Sequence, residues 1–358
     1  MLFRSSDVMR DLNLLLVIQI FISILVFLTI SLIVYARTQS VASPLKTFSD
    51  IAQRIGKGDF ETSLPETNKA YEIERLTQAF ASMQDSLKEY IRNLDVTNKE
   101  KNRIMAEVRF AAEIQKNLIP SNKDLPCGRS ELRVYGILEP ASDIGGDLYD
   151  YFMIDSDKFC FAIADVVGKG IVAAMTMTIV STFLRGVSAY HKSARDIVWE
   201  LNSFLCRNNI EANFVTVLLG IIDLKSGVLE FSNAGHVPMF IRKMDRSYTK
   251  FAETHSTAVG VFEDLAVASE TIRLDIGDEI ILFTDGITEA MNDKEEFLEI
   301  AGLERIISSL GSPNPKRSAT TILDEVHKYS MSSLEKDDIT ILAIDYKHPH
   351  LMNKHPKS

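Results

Sequence analysis

Four aspartates stand where an apolar run meets a turn. Asp147 follows Gly145 and Gly146 in IGGDLYD. Asp165 closes the run that begins at Phe159 and is followed by VVGKG, ending at Gly170. Asp285 closes the run that begins at Glu279 and is followed by Gly286. Asp338 lies in KDDIT, just ahead of a run beginning at Ile339. A carboxylate buried without a partner is costly, so a fold that draws several together must offset their repulsion with cations. All-oxygen donors suit magnesium or manganese rather than zinc. The neighbouring glycines allow tight turns and leave room for water and substrate. Taken singly, each aspartate reads as a turn former or helix cap; four beside four strands are harder to reduce to that. Gly145-Gly146-Asp147 also suggests a nucleotide-cyclase turn, which needs acidic and aromatic residues directly afterwards, and Leu148-Tyr149 does not fit.

The elements that must position these residues are legible from composition. Runs from Leu132 (LRVYGIL), Phe159 (FCFAIADV), Phe214 (FVTVLLGIID), Val228 (VLEFS), Pro238 (PMFIR), Glu279 (EIILF) and Ile339 (ITILAIDY) are β-branched, aromatic and aliphatic, and predict strands. DLKSG, from Asp223 to Gly227, predicts a hairpin turn. Helices are expected at Ile171–Tyr190, Arg195–Asn208, Phe297–Leu310 and Ser318–Ser330. Strand following strand with a few helices inserted predicts an α+β fold of antiparallel sheets with helices packed outside them.

Upstream the texture differs. Leu12 to Ala36 carries no charge, which is long enough for a membrane-spanning helix and too long for the apolar part of a signal peptide; a buried core helix is the other reading. Arg4 and Arg10 precede it, and Arg37, Lys46, Arg54 and Lys57 follow, placing the C-terminal side in the cytoplasm at an inner membrane. Residues 1–11 would then lie outside, too few for a sensor domain. The input is expected through a membrane partner, or the chain lacks part of a longer ancestral protein. The net charge of −10 argues against a nucleic-acid partner. Cys127, Cys160 and Cys206 have no zinc-site spacing and read as reduced thiols.

After the span, Pro44, Phe48, Ile51 and Ile55 form a coiled-coil seam, and Pro44 suits a first helical turn. GKGDF, from Gly56 to Phe60, breaks the helix, and ETSLP reads as an extended connector. A second seam runs through Ile73, Leu76, Phe80, Met83 and Leu87. It continues without a skipped residue through Tyr90, Leu94, Thr97, Lys101, Ile104, Val108, Ala111 and Gln115 to Leu118, with only Thr97, Lys101 and Gln115 breaking the apolar pattern. This predicts one nearly continuous helix paired with its copy in a dimer, ended by Pro120.

Pro44, the break at Gly56–Asp59, Glu72 before Ile73 and the two seams resemble a HAMP domain over residues 37–90; an unrelated helical hairpin is the alternative. From Phe110 to Tyr346 the chain resembles the bacterial SpoIIE/RsbU branch of the type 2C (PPM) serine/threonine phosphatases. Six segments in family order carry the likeness: AAEIQKNLIP from Ala111, PASDIGGDLYD from Pro140, DVVGKGIVAAM from Asp165, SNAGHVP from Ser232, FTDGITEA from Phe283 and DDIT from Asp337. The resemblance implies an αββα sandwich of two antiparallel sheets with two divalent cations, Mn or Mg, between them. In it Asp165 would bridge the ions, aided by the carbonyl of Val166 and by Asp147, with Asp165 and Asp147 as the catalytic pair. Asp285 and Asp338 would bind the second ion, and Asp337 would support them. The family chemistry is direct attack of a metal-activated water on phosphorus, without a phosphoenzyme, and the implied substrate is a phosphorylated STAS-domain anti-sigma factor antagonist. In relatives, helices beside the second glycine loop move to complete the site; Ile171–Tyr190 matches them.

Two departures matter. Relatives often carry Ser-Gly-His-Gly where this chain has Val167-Gly168-Lys169-Gly170, so Lys169 either attracts phosphate or is simply solvated. No arginine precedes Asp147 to clamp phosphate. His236 is expected to brace its turn rather than act as general acid. The expected organisation is an N-terminus at 1–11, a span at 12–36, HAMP at 37–90, a signalling coiled coil at 91–119, a phosphatase domain at 120–346 and a disordered tail at 347–358. A catalytically inactive PPM-fold binding module or receptor is the competing reading. A histidine kinase is disfavoured, because no histidine lies between Met83 and Pro120.

Overall fold

Alternation along the strands decides the architecture. In the computed structural model, which describes residues 5–65, 71–121, 131–190, 193–208, 214–330 and 337–347, the chain divides into two units, residues 1–103 and 104–358. Cys127 and the tail from His348 lie outside the described residues.

In the second unit, the described strands form two five-stranded antiparallel sheets. One has the order β1 (Leu132–Glu139), β10 (Ile339–Tyr346), β9 (Glu279–Phe283), β6 (Met239–Arg242), β7 (Tyr248–Phe251). The other has the order β2 (Asp147–Met153), β3 (Lys158–Val166), β4 (Val215–Asp223), β5 (Val228–Ala234), β8 (Glu270–Arg273). Side chains on successive residues point to opposite faces. In β3, Phe159, Phe161 and Ile163 enter the core between the sheets, while Cys160, Ala162, Ala164 and Val166 pack under α3 (Ile171–Val187) and α4 (Ala194–Asn208). In β9 and β10, Ile280, Leu282, Leu342 and Ile344 face that same inner core. Ile281, Phe283, Ile341 and Ala343 lie under α5 (Glu299–Ser309) and α6 (Pro315–Tyr329). The result is the αββα sandwich that the family resemblance implies, with the helices outside antiparallel sheets as the element order predicts.

The strand predicted from each of the seven apolar runs is present, and the Asp223–Gly227 hairpin closes with a Gly227 N–H to Asp223 carbonyl bond of 2.8 Å. Three strands escape the sequence reading. β2 is interrupted by Asp147 and Asp150, and β7 and β8 are four-residue strands of largely polar sequence at sheet edges. Helix α6 starts three residues before its predicted start, at Pro315. Asn314 caps it by accepting from the Arg317 N–H at 3.1 Å, a cap-plus-proline start. Its N-terminus is pinned by a fully buried pair, Arg242 and Glu279. Both also bond the Ser318 hydroxyl, and Arg242 reaches the Gly311 carbonyl at 2.6 Å.

In the first unit, α1 spans Ser5–Ile55 without interruption. The expected restart at Pro44 does not occur: the proline withdraws one backbone donor inside the helix without ending it. Among the described residues this is the one helix long and apolar enough to cross a membrane. It stops where Gly58 adopts φ 92° and Arg54 folds back onto Asp59 at 2.6 Å. Phe48, Ile51, Ile55 and Ile73 are buried, and the Phe48 and Phe80 rings lie 5.1 Å apart. Gln84 holds the connector by donating to the carbonyls of Phe60 (2.6 Å) and Thr62 (2.9 Å). Helix α2 is one 48-residue helix, Tyr71–Leu118, the continuous element that the unbroken phase predicts. One position of its seam is corrected: Gln115 does not await a second copy but is buried against its own chain at Gly145.

Candidate metal centre

Adjacent strands and opposing sheets deliver the carboxylates to one end of the sandwich. Asp147, first residue of β2, sits directly across from Asp165 near the end of β3. Asp147 is buried, and its Oδ2 accepts from two hydroxyls, Thr284 at 2.7 Å and Thr340 at 2.6 Å. Those threonines belong to the other sheet, one just past β9 and one in β10. They are tied to each other by the Thr340 N–H donating to the Thr284 hydroxyl at 3.0 Å. One carboxylate thus bridges both layers. Asp285 opens a short 3-10 turn directly after β9. The loop before β10 packs so closely there that a Cβ on Gly286 would run into the Asp338 carbonyl.

The electrostatics follow from this crowding. Burial pushes Asp147 well above the usual carboxylate range, against the two threonine hydroxyls, with Asp165 and Asp338 adding to the rise. Burial, then the charges of Asp285, Asp337 and Asp338, push Asp165 up to about 7. Asp285 is raised by burial and then by Asp337. Groups that resist ionisation because their neighbours are also anionic are groups that a cation would relieve. The donor set, carboxylate oxygens with the Val166 carbonyl lying against Gly146 (2.8 Å from where its Cβ would stand), suits hard divalent ions. Among the described residues no three His, Cys, Asp or Glu side chains converge on one common ion position: Asp147 and Asp338 are turned onto hydroxyls and amides.

Asp338, expected beside Asp285, is bonded on the Asp147 side. Asp338 accepts from the backbone N–H groups of Ala141 and Gly146, both at 2.7 Å, and so fastens the turn before Asp147. Asp337 is the carboxylate whose charge acts on Asp285. Adjacent residues in an extended segment point opposite ways, yet the charges of both act on Asp165. Lys169 lies 3.1 Å from Asp337 with its own side chain largely exposed, so it neighbours the carboxylates while remaining solvated. His236 is buried, with Nδ1 2.8 Å from the Thr216 hydroxyl and Nε2 3.1 Å from the Phe283 carbonyl. Burial pushes it down to about 4, so it is a neutral brace for the end of β9, in keeping with the structural role expected. Thr284, Thr340 and Gln115 went unassigned in the sequence, although all three fall inside the quoted motifs.

The profile of the Stage II sporulation protein E (SpoIIE) family matches residues 155–347, more than half of the chain. The chain belongs to the SpoIIE family. The HAMP domain profile matches residues 38–89. Protein IcfG of Synechocystis is 29% identical over 335 residues, covering 84% of this chain and 51% of IcfG. Phosphoserine phosphatase RsbU of Bacillus subtilis is 26% identical over 248 residues, covering 68% of this chain and 71% of RsbU. The chain therefore spans only about half of IcfG. In structure, the SiaA-PP2C domain of Pseudomonas aeruginosa superposes with a TM-score of 0.61 at 18% identity, covering 69% of this chain and 99% of that domain, which establishes the PP2C-like fold.

Proposed function

We propose that this chain is a metal-dependent phosphoserine/phosphothreonine protein phosphatase, anchored in the cytoplasmic membrane by α1 and working on the cytoplasmic side. The observation that carries the reading is the set of carboxylates from two opposing sheets: Asp147, Asp165 and Asp285 are gathered where burial and neighbouring charge raise them, and Asp337 supplies part of that charge. Divalent ions bound there, manganese or magnesium, would supply an acidified water and neutralise phosphoryl charge. The chain's own residues do the rest. Asp165 and Asp147 share the β2–β3 side with the Val166 carbonyl, Asp285 and Asp337 face them from the other sheet, and Asp338 and the two threonines hold the turn and carboxylate in place. Lys169, 3.1 Å from Asp337, is within reach of a phosphate drawn to that side.

The substrate proposed is a phosphorylated STAS-type anti-sigma antagonist. The likeness to phosphoserine phosphatase RsbU supports a phosphoserine protein. Dimerisation through HAMP and α2, with input from a membrane sensor partner, is supported by the HAMP match and by the unbroken phase of α2. The decisive experiment incubates the purified full chain in detergent with phosphorylated STAS proteins from the same genome, with and without manganese. Manganese-dependent loss of phosphate, abolished in Asp165→Asn, is expected. Tight binding with no hydrolysis in any metal would instead favour the binding-module reading. A one-residue insertion near Asn98 should alter turnover sharply; turnover indifferent to it would remove α2 from regulation.

A further inference from the structure

We propose that Gln115 is a positioning residue through which the last turns of α2 hold the turn that presents Asp147, so that α2 sets how well the centre takes up its cations. The proposal rests on the metal-dependent reading above. In the heptad pattern Gln115 is a polar interruption. In the fold it is 6% exposed, and a buried amide must find partners. Both halves of it are spent on one residue. Nε2 donates to the Gly145 carbonyl at 2.6 Å, and Oε1 accepts from the Gly145 N–H at 3.4 Å. Gly145 has no side chain to spare room for, because a Cβ there would strike the Asp338 carboxylate.

The next links are equally short. The Gly146 N–H donates to Asp338 at 2.7 Å, the Gly146 carbonyl accepts from the Val166 N–H at 3.3 Å, and Asp147 follows at once. The turn is therefore gripped from three sides. Two grips, Asp338 and Val166, come from segments adjoining β10 and β3. The third comes from a helix that lies outside both sheets and begins at Tyr71, within the HAMP match. Sliding or rotating the end of α2 leaves the two sheet-borne grips alone and breaks only the third. Gly145 is itself buried, so its freed N–H and carbonyl must then re-bond by moving the turn, and Asp147 is two residues away.

The test uses the full chain in detergent. Gln115→Met keeps the length and bulk of the side chain and removes both bonds. Gln115→Glu keeps the acceptor for the Gly145 N–H but sets an oxygen against the Gly145 carbonyl. Three quantities are read: manganese affinity by calorimetry, hydrogen exchange of the peptide spanning residues 140–150, and melting temperature. Both variants are expected to lose about tenfold or more in manganese affinity, the scale on which partners of metal ligands act, and to exchange faster at that peptide while melting close to wild type. Wild-type manganese affinity in a variant that merely melts earlier overturns the proposal and leaves the phosphatase reading intact. Wild-type protein that takes up no manganese overturns both. Should neither variant fold, exchange on the wild type decides: a Gly145 amide as open as an exposed loop refutes the clip, and a protected one supports it.

Discussion

Replacing Thr340 with valine removes one hydroxyl and little else. The Thr340 hydroxyl donates to Asp147 Oδ2 at 2.6 Å, beside the Thr284 hydroxyl at 2.7 Å. The backbone N–H of residue 340 still donates to Thr284, so the junction of β9 and β10 survives. A cation requires Asp147 ionised, and a hydrogen bond to a buried ionised group contributes about 1.5–3 kcal/mol. To a neutral carboxyl the same hydroxyl contributes about 1 kcal/mol. In Thr340→Val the difference, about 0.5–2 kcal/mol, should weaken manganese binding by about two- to thirtyfold, while the metal-free protein loses less stability than the loaded one. Titration calorimetry of manganese into wild type and variant at neutral pH measures the first effect, and melting with and without metal measures the second. An unchanged dissociation constant in a folded variant would mean that Asp147 does not meet the ion, and the assignment of the centre would fall with it.

Three further outcomes follow from the same geometry. Asp165 sits at about 7 in the folded protein, above its value in the unfolded chain, so the unfolded state holds fewer protons between those values; stability of the chelated protein should fall as pH rises through about 7. Manganese should remove that dependence, and calorimetric melting in chelator that is flat or rises over this range would contradict it. Arg185 pairs with the fully buried Asp150 at 2.5 Å and stacks on Phe152. Arg185→Met should cost about 2 kcal/mol in urea unfolding, less than a fully buried pair because the guanidinium is half exposed; an unchanged midpoint would show that solvent already serves Asp150. Gly286→Ala puts a methyl group into the Asp338 carbonyl, so it should lower the melting temperature and manganese affinity together. A variant that binds manganese normally would show that the Asp337–Asp338 loop moves freely of the 3-10 turn.

How far the sequence could be read depended on what each signal encodes. Runs of β-branched, aromatic and aliphatic residues revealed seven of the strands; β2, broken by Asp147 and Asp150, and β7 and β8, short polar edges, carry no such run. The continuous phase of α2 was legible because heptads accumulate over dozens of residues, and Pro44 misled because a proline forbids one bond, not a helix. Within the site, Asp147, Asp165 and Asp285 were recognisable from their strand ends. The different partners of Asp337 and Asp338 were not, since two adjacent aspartates differ only in which way an extended backbone turns them. That direction is set by contacts nearly 200 residues away, where the amides of Ala141 and Gly146 bond Asp338, while the charge of Asp337 acts on Asp285. Gln115 shows the same limit from the other side. A heptad pattern registers it as a flaw, because the pattern holds only apolar expectations. Its partner is the backbone of Gly145, thirty residues on, and a backbone partner leaves no side-chain signature to read.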